Sequence, residues 1–578
     1  MIVSFFTQAG KTMNPTNKPS KTQLTAIAIG LLSASSLVMA STYNPLEHSQ
    51  NNFSPLEQLT PNIDEQGKTK SILESLQQSE LNSKRAHYLE ILDLLKQNKL
   101  EEAGNKIADF LKQHPDEADY YNLQALLETL KKDPIAAQKS YDKVLRLEPK
   151  NILALLGSAK LSLDGGQLDK AHEFANKAIA INDKNTNAYL MLADIAYKQK
   201  NNAEVEKMLL TAKEKASDDI KIEIDVIKGL GKFYGLQKQP EKILPLCDDL
   251  IRRYPNNTMA LDLLAQAQLF NNQKSLAEQS LQKVIALDKQ DIGSRLLLAR
   301  LLSEHPDKDK ETLALLDETA LIAPDKPEAL VFKTAYLIKH QQYPEALALA
   351  HKIDQQFPKL VLGKLLTGDT YLAQKQYEKA NEQYQLAYKT QPNERILLTI
   401  SDLLIAQKKP DEAIKLLKEA LEKTPKDVAI HFKLASIYQQ QNDSDQAETH
   451  YDAMLTEQSD NVIALNNLAI LYAQKNDPRA LELAKRAYDK APESAAILDT
   501  YGHLLLKQNQ ASKGLTLLEK AVTLAPKQND IQLHLAEAYV SNNNTAKAIA
   551  ILEPLVNTDL EFSEKKTAIS LLESLKKN

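Results

Sequence analysis

Prolines recur along the chain at a fixed interval, and this interval constrains the fold more than any other feature of the sequence. Pro324, Pro358 and Pro392 are 34 residues apart, and the same distance separates Pro492 from Pro526. Each follows a stretch with the apolar periodicity of an α-helix, which a proline ends. A fixed period of roughly 20 to 50 residues is typical of a solenoid built from one repeated unit.

Small residues recur with the same period, two in each unit. Pro392, Ala380 and Gly368 are separated by twelve residues each, and most other units repeat this arrangement. A small side chain allows two helix backbones to approach closely, so the pattern indicates two helices per unit. Pro134 and Pro410 stand three residues before the second small residue, where a proline suits the first turn of a helix. One such helix pair cannot bury its apolar face alone, so neighbouring units must stack.

The composition agrees with an all-α fold and excludes several classes of function. Only 15 of 578 residues are glycine, which is costly inside a helix. The formal net charge of -5 opposes a nucleic-acid-binding role. Cys247 is the sole cysteine, which excludes an intramolecular disulfide and any metal site made of several cysteines. Its apolar neighbours predict that it belongs to the core.

Two segments, Leu362–Ala387 and Asn461–Ala484, resemble the tetratricopeptide repeat (TPR) family, with Leu-x-x-Gly/Ala-x-x-Tyr followed by alanine, an aromatic residue and proline. The usual tryptophan of the first helix is absent. The resemblance implies an all-α TPR superhelical solenoid of about fourteen helix-turn-helix repeats with capping helices. We expect the TPR array at 84–561, an N-terminal cap helix at 71–83 and a C-terminal cap helix at 562–578, with irregular register near Asp218 and Asp307.

The N-terminal region resembles an export signal. Two lysines precede the largely apolar stretch Thr22–Ala40, which ends in small residues suited to signal peptidase, so residues 1–40 are predicted to be a signal peptide cleaved near Ala40. Met13 is a possible true start. The alternative is an uncleaved inner-membrane anchor. The polar segment 41–70 is predicted to be a flexible linker. The mature protein is therefore expected to be periplasmic or secreted.

The TPR resemblance also implies a binding surface. In this family the first helices line the concave face, and the fifth and ninth residues of each unit point inward. Transferred to this chain, these positions give a partner-binding set of Asn122, Lys160, Asp194, Asp262, Gln266, Arg300, Asp369, Asp402, Asn466, Asp499, His503 and Glu537.

Beyond residue 360 this set is acidic. Asp369, Asp402, Asp499 and Glu537 have no lysine or arginine at the corresponding positions of neighbouring units. This favours a basic or hydroxyl-rich ligand in that half of the chain. The alternative is that these are ordinary solvated residues on a helix face. The basic residues that some TPR proteins use to clamp a chaperone tail are missing, so we do not expect that function.

No catalytic, cofactor-binding or metal site is predicted. Gly165 and Gly166 form an isolated turn pair rather than a phosphate-binding loop. The eleven histidines include no pair at i and i+4, which argues against a metal-binding helix. The repeats leave no room for a catalytic domain, so the chain is not expected to be an enzyme or to need a cofactor.

The sequence therefore predicts a non-enzymatic protein-protein interaction scaffold of the bacterial cell envelope, similar to exported TPR proteins of exopolysaccharide secretion. Its expected partners are other envelope proteins or a polysaccharide, with a possible role in polysaccharide synthesis or export, or in envelope assembly. The alternative is a helical-repeat RNA-binding protein or a cytoplasmic co-chaperone-like adaptor. The acidic charge and the export signal oppose the RNA-binding alternative, since nucleic-acid binding depends on basic residues.

Overall fold

The structure is a computed structural model that describes residues 72–557, 562 and 564–577. Within these residues there are twenty-nine α-helices and no β-strand, so the predicted all-α fold is confirmed. The described chain forms two compact bodies, an N-terminal body up to Ala323 and a C-terminal body from Pro324. The predicted signal peptide and linker, residues 1–70, lie outside the described residues.

The N-terminal body contains fourteen α-helices. They are α1 Ile72–Lys96, α2 Leu100–Gln113, α3 Ala118–Leu130, α4 Pro134–Leu147, α5 Ile152–Asp164, α6 Leu168–Ile181, α7 Thr186–Lys198, α8 Asn202–Lys215, α9 Ile220–Leu236, α10 Leu244–Arg253, α11 Thr258–Phe270, α12 Lys274–Leu287, α13 Ile292–Leu302 and α14 Asp309–Ile322. Short 3₁₀ turns at Pro240–Ile243 and Pro306–Lys308 precede α10 and α14.

The C-terminal body contains fifteen α-helices. They are α15 Glu328–Lys339, α16 Tyr343–Gln356, α17 Leu362–Ala373, α18 Tyr377–Thr390, α19 Glu394–Ala406, α20 Pro410–Leu421, α21 Val428–Gln440, α22 Ser444–Glu457, α23 Val462–Gln474, α24 Arg479–Lys490, α25 Ala495–Lys507, α26 Ala511–Leu524, α27 Asn529–Ser541, α28 Thr545–Val556 and α29 Lys565–Lys577.

Consecutive helices pair, giving seven repeats in each body. In each pair the odd-numbered helix is the first helix and the even-numbered helix is the second. The first helices also contact one another across neighbouring repeats, as α23 and α25 do. The last described helix, α29, packs on α28. This is the stacked helix-turn-helix arrangement that the 34-residue period predicts.

The separate N-terminal cap helix expected at 71–83 is not formed. Instead α1 is a single helix of 25 residues that runs through the expected boundary at residue 84. The sequence between Ser71 and Lys96 contains neither proline nor glycine, so nothing there interrupts the backbone hydrogen bonds.

The recurring small residues lie where the helices approach most closely. Ala380 is fully buried, and Gly368 is buried against the ring of Tyr384. A Cβ atom at Gly368 would lie only 3.1 Å from two carbons of that ring. Gly368 is on α17 and Tyr384 on α18, so this glycine permits the close packing of the two helices within one repeat.

A residue with a left-handed backbone ends the first helix of most repeats. Lys132 is one example, with a φ of 62°, and its neighbour Asp133 donates its backbone N–H to the carbonyl of Glu128 at 2.9 Å. The Asp133 carboxylate then accepts the backbone N–H of Ala136, and Pro134 begins the second helix. One short turn therefore ends one helix and caps the next. Among the described residues glycine fills the left-handed position only at Gly166.

The repeat is irregular at the two places where the sequence suggested it. Near Asp218, α9 extends to 17 residues and its partner is divided into a 3₁₀ turn and α10. Near Asp307, α13 has only 11 residues and a 3₁₀ turn precedes α14. Cys247 is fully buried on α10, as expected, and burial raises the pKa of its thiol to about 12.

Candidate functional site: the first-helix face

The twelve predicted partner-binding residues all lie on first helices, and we call their positions the first-helix face. They differ in accessibility. Two are exposed, namely Asp194 and Arg300, and two are buried, namely Asn122 and Asp369. The others are half-buried, namely Lys160, Asp262, Gln266, Asp402, Asn466, Asp499, His503 and Glu537.

The buried position of Asp369 removes it from any accessible groove. Its side chain is 2 % exposed and accepts a hydrogen bond from the hydroxyl of Tyr384. The positive charge of Arg395 on the next first helix also acts on this carboxylate. The expectation that Asp369 offers a free acidic contact is therefore wrong, because its carboxylate takes part in packing within the repeat.

Asp402 also has a cationic partner. It forms a salt bridge with Lys433, which lies on α21, the next first helix along the chain. The sequence comparison missed this partner because it compared equivalent positions, whereas Asp402 is the ninth residue of α19 and Lys433 is the sixth residue of α21. Asp402 is therefore not one of the unpaired acidic residues that the sequence predicted for this half of the chain.

Near the C-terminal end, five polar residues form what we call the histidine cluster: Asp499, His503, His534, Glu537 and Glu564. His534 Nδ1 lies 2.8 Å from Asp499 Oδ1, and His503 Nε2 lies 3.4 Å from Glu537 Oε2. The two imidazole rings lie with their centroids 3.9 Å apart and their planes tilted by 34°. The carboxylate of Glu564, just before α29, reaches within 3.9 Å of His534 Nε2.

The two histidines of this cluster have opposite electrostatic environments. Burial lowers the pKa of His503 well below its usual range, and the neighbouring His534 adds to this effect. Burial also acts to lower the pKa of His534, but the charge and hydrogen bond of Asp499 outweigh it and raise that pKa to about 10. His503 is therefore neutral at pH 7, with a lone pair available on its ring.

The sequence identified three members of the histidine cluster and missed two. Asp499, His503 and Glu537 belong to the predicted set, whereas His534 and Glu564 do not. A signal for His534 is nevertheless present: it follows His503 by 31 residues, as Lys433 follows Asp402. The ninth residue of one first helix faces the sixth residue of the next in both cases.

In the N-terminal body the first-helix face carries mixed charge. Asp194 on α7 interacts electrostatically with Lys160 on α5 and Lys232 on α9, so three consecutive first helices contribute to one charged surface. Further along, the Gln266 amide donates to Asp262 at 2.7 Å. Burial and the nearby carboxylate of Asp291 raise the pKa of Asp262 to about 6.

Within the described part of the chain, no helix has both the length and the apolar character needed to cross a lipid bilayer. The candidate anchor, Thr22–Ala40, lies outside that part. The structure consequently describes only the repeat region and its terminal helix, and the first-helix face is its candidate binding surface.

Comparison with protein families identifies tetratricopeptide repeats in this chain. One family model, described as a tetratricopeptide repeat, matches residues 163–223, 404–469 and 505–571. A second model of the same description matches residues 365–428. The matched segments fall in both bodies. A tetratricopeptide-repeat scaffold is consistent with protein-protein interaction, and this fold is typically non-catalytic.

Curated relatives share only parts of their length with this chain. Human "Protein O-mannosyl-transferase TMTC3" is 28 % identical over 237 residues, which cover 39 % of this chain and 25 % of that protein. "Anaphase-promoting complex subunit 7" from mouse is 29 % identical over 117 residues, which cover 20 % of each protein. The human form of that subunit matches to the same extent. The chain thus spans a quarter or less of the relatives that it matches.

Solved structures also align with the chain. The structure titled "Crystal structure of APC/C hetero-tetramer Cut9-Hcn1" aligns over 80 % of this chain and 98 % of that chain, with 15 % identity and a TM-score of 0.33. The structure titled "Structure of Naa15/Naa10 bound to HypK-THB" aligns over 95 % and 96 %, with 13 % identity and a TM-score of 0.32.

Proposed function

We propose that this protein is a non-enzymatic scaffold of the bacterial cell envelope that binds a segment of another envelope protein, or a polysaccharide chain, along its first-helix face. The observation that carries the proposal is the side-by-side packing of successive first helices in each body. This packing presents a preformed surface, so that little backbone ordering is needed on the scaffold side when a partner binds.

The chemistry of the exposed positions favours a partner with both charges. Asp194 and Arg300 are the exposed members of the set, and lysines from α5 and α9 act on Asp194. By contrast, several acidic positions beyond residue 360 are engaged by residues of the chain itself. We therefore assign partner binding mainly to the N-terminal body, where the charged groups are accessible.

The envelope location rests on the export signal in the sequence. Thr22–Ala40 has the apolar core and the small residues before the cut that signal peptidase requires. A solenoid exported in this way is suited to organising a secretion or assembly machine, such as one that makes or exports a polysaccharide. The match to the mannosyl-transferase covers only 25 % of that protein, so we propose no transfer activity for this chain.

The location is tested by fractionating bacterial cells that express the full-length chain, followed by mass spectrometry of its N-terminus. We expect a soluble periplasmic form that begins at Ser41. If the inner-membrane fraction contains the chain with an intact N-terminus, the scaffold is anchored in the membrane and is not cleaved. A cytoplasmic product would refute the envelope role. The co-chaperone-like adaptor and the RNA-binding protein would then be the functions to test.

The binding surface is tested by reversing the exposed charges of the first-helix face. The double variant Asp194→Lys with Arg300→Glu should lose partners that the wild-type chain captures from an envelope extract. The matched control, Asp169→Lys with Arg146→Glu, makes the same exchange at exposed positions on the second helices α6 and α4. Equal capture by both double variants would refute the assignment to the first-helix face.

A further inference from the structure

The histidine cluster brings together atoms that bind transition metals. His503, His534 and Glu537 each offer a ligand atom, and these three atoms lie within 4.8 Å of one another. His503 lies on α25, whereas His534 and Glu537 lie on α27, one repeat later. Glu564, before α29, adds a fourth donor 3.9 Å from His534 Nε2. Two imidazole nitrogens and two carboxylates form a ligand set suited to Zn²⁺.

The spacing of these atoms fits a tetrahedral ion. Zn²⁺ binds nitrogen and oxygen at about 2.0 to 2.2 Å, which places neighbouring ligand atoms of a tetrahedron roughly 3.3 to 3.6 Å apart. His503 Nε2 and Glu537 Oε2 are already 3.4 Å apart. The other distances need to shorten by an ångström or so, which rotation of the half-exposed Glu564 side chain supplies in part.

An unsatisfied nitrogen points into the same space. His534 is 8 % exposed, and its Nε2 atom has no hydrogen-bond partner among the described residues. Burying a polar nitrogen without a partner costs free energy, so such an atom calls for an explanation. A metal ion between His534 Nε2 and the neighbouring donors satisfies it.

The other ring nitrogen of His534, Nδ1, forms the kind of hydrogen bond that metal-bound histidines make. His534 Nδ1 bonds to Asp499 Oδ1 at 2.8 Å. A metal-bound histidine commonly donates its second ring N–H to a carboxylate, which fixes the tautomer and the orientation of the ring. Asp499 is thus a positioning residue that directs Nε2 of His534 towards the cluster.

The charge around the cluster suits a dication. Three carboxylates surround the two imidazoles, and the cations that act on them are the protonated His534 and Lys507, one turn after His503. Zn²⁺ would displace the Nε2 proton of His534, and the three carboxylates would then balance the charges of the ion and of Lys507.

We propose that His503, His534, Glu537 and Glu564 form a Zn²⁺ site that joins the last two repeats to the C-terminal helix. The ion links α25 to α27 within the stack and ties the residue before α29 to both. In the described part of the chain α29 packs on α28, and such a link would hold α29 more firmly against these repeats. This role is structural and separate from partner binding on the first-helix face.

The test titrates ZnCl₂ into the full-length chain, purified without a polyhistidine tag and stripped with a chelator, and follows binding by calorimetry. We expect one Zn²⁺ per chain. The double variant Glu537→Gln with Glu564→Gln keeps both histidines and the side-chain volumes, and it should bind at least 100-fold more weakly. Asp499→Asn should weaken binding about 10- to 100-fold through misorientation of His534.

The control variant is His172→Ala, which removes an exposed histidine on α6 and should bind Zn²⁺ as the wild-type chain does. Hydrogen exchange in α29 provides an independent readout, since Zn²⁺ should slow it in the wild-type chain but not in the double glutamine variant. Absence of stoichiometric binding by the wild-type chain, or equal affinity of the double glutamine variant, would overturn the proposal.

Discussion

Replacing Glu223 by glutamine should loosen the irregular part of the N-terminal body. The Glu223 side chain on α9 has no solvent exposure. Arg253 Nη1 donates to its Oε2 at 2.9 Å, and Lys213 Nζ lies 3.4 Å from its Oε1. These two cations come from α10 and α8, so a single carboxylate connects three helices at the point where the repeat departs from its regular length.

The magnitude follows from what the substitution leaves behind. Removing one partner of a buried ion pair costs about 3 to 5 kcal/mol, because the remaining charge is buried without compensation. Here the side chains of Arg253 and Lys213 are 32 % and 18 % exposed, and each also lies 3.2 Å from a carboxylate oxygen of Asp249, so both charges keep partial compensation. Glutamine also retains one acceptor oxygen. We therefore expect the lower end, about 3 kcal/mol, which is more than 100-fold in the equilibrium for local opening.

Hydrogen exchange measured by mass spectrometry is the appropriate assay, because repeat arrays open locally rather than in one step. In Glu223→Gln the amides of α8, α9 and α10 should exchange more than 100-fold faster, with little change in α1 to α4. Arg253→Gln should give a similar effect. The double variant should cost less than the sum of the two, because both substitutions remove the same contact between Glu223 and Arg253.

The matched control is Glu173→Gln, which removes a carboxylate from an exposed pair with Lys177 and should leave exchange unchanged. An acceleration below tenfold in Glu223→Gln would refute the reasoning, as would additive effects of the Glu223 and Arg253 substitutions. Either result would mean that helix packing alone holds α9 in place.

Three further predictions test the fold in independent ways. His450 is buried, and burial lowers its pKa from 6.5 to about 4. The stability that the neutral imidazole contributes is present above pH 6.5, and about 3 kcal/mol of it should be lost as the pH falls to 4. Urea titrations should show this loss for the wild-type chain but not for His450→Phe. Lys375→Gly, at a φ of 60°, should stabilise its repeat by up to about 1 kcal/mol in denaturant unfolding, whereas Gly166→Ala, at 73°, should destabilise its own. Gly368→Leu should lower the melting temperature because the added side chain meets the ring of Tyr384, and an unchanged melt would disprove this contact.

The repeat architecture was predictable because its causes are local. The interval between Pro358 and Pro392 gives the length of a unit, and the twelve-residue steps to Ala380 and Gly368 give the number of helices in it. Each of these residues acts on the chain within its own repeat: a proline ends a helix, and a small residue admits a neighbouring backbone. Such effects need no knowledge of how the repeats stack.

The left-handed turn residues were less visible. Among the described residues glycine marks this position only at Gly166. Six of the other twelve are asparagine, which adopts this conformation readily, and five are lysine, including Lys132 and Lys375. Lysine carries no preference for a left-handed backbone, so its side chain gives no local sign of this conformation. The helix from Ile72 to Lys96 was expected to be two helices. The repeat count placed a boundary at residue 84, although no residue there breaks a helix.

The pairing of polar side chains depended on the tertiary structure. Asp402 reaches Lys433, and His534 reaches both Asp499 and His503, across the contact between neighbouring first helices. Whether two such residues meet depends on the rotation of one repeat relative to the next. A shift of three positions along a helix corresponds to most of a turn, so comparison of equivalent positions did not find these pairs.

The sequence by itself determined the helices, their pairing and the period of the stack, because these follow from backbone preferences and from apolar residues spaced within one repeat. Only the tertiary structure decided which charges are accessible and which are engaged, as the difference between exposed Asp194 and buried Asp369 shows. The physical reason is that the free energy of a polar group depends on what surrounds it, and on these helices the surroundings come largely from the next repeat.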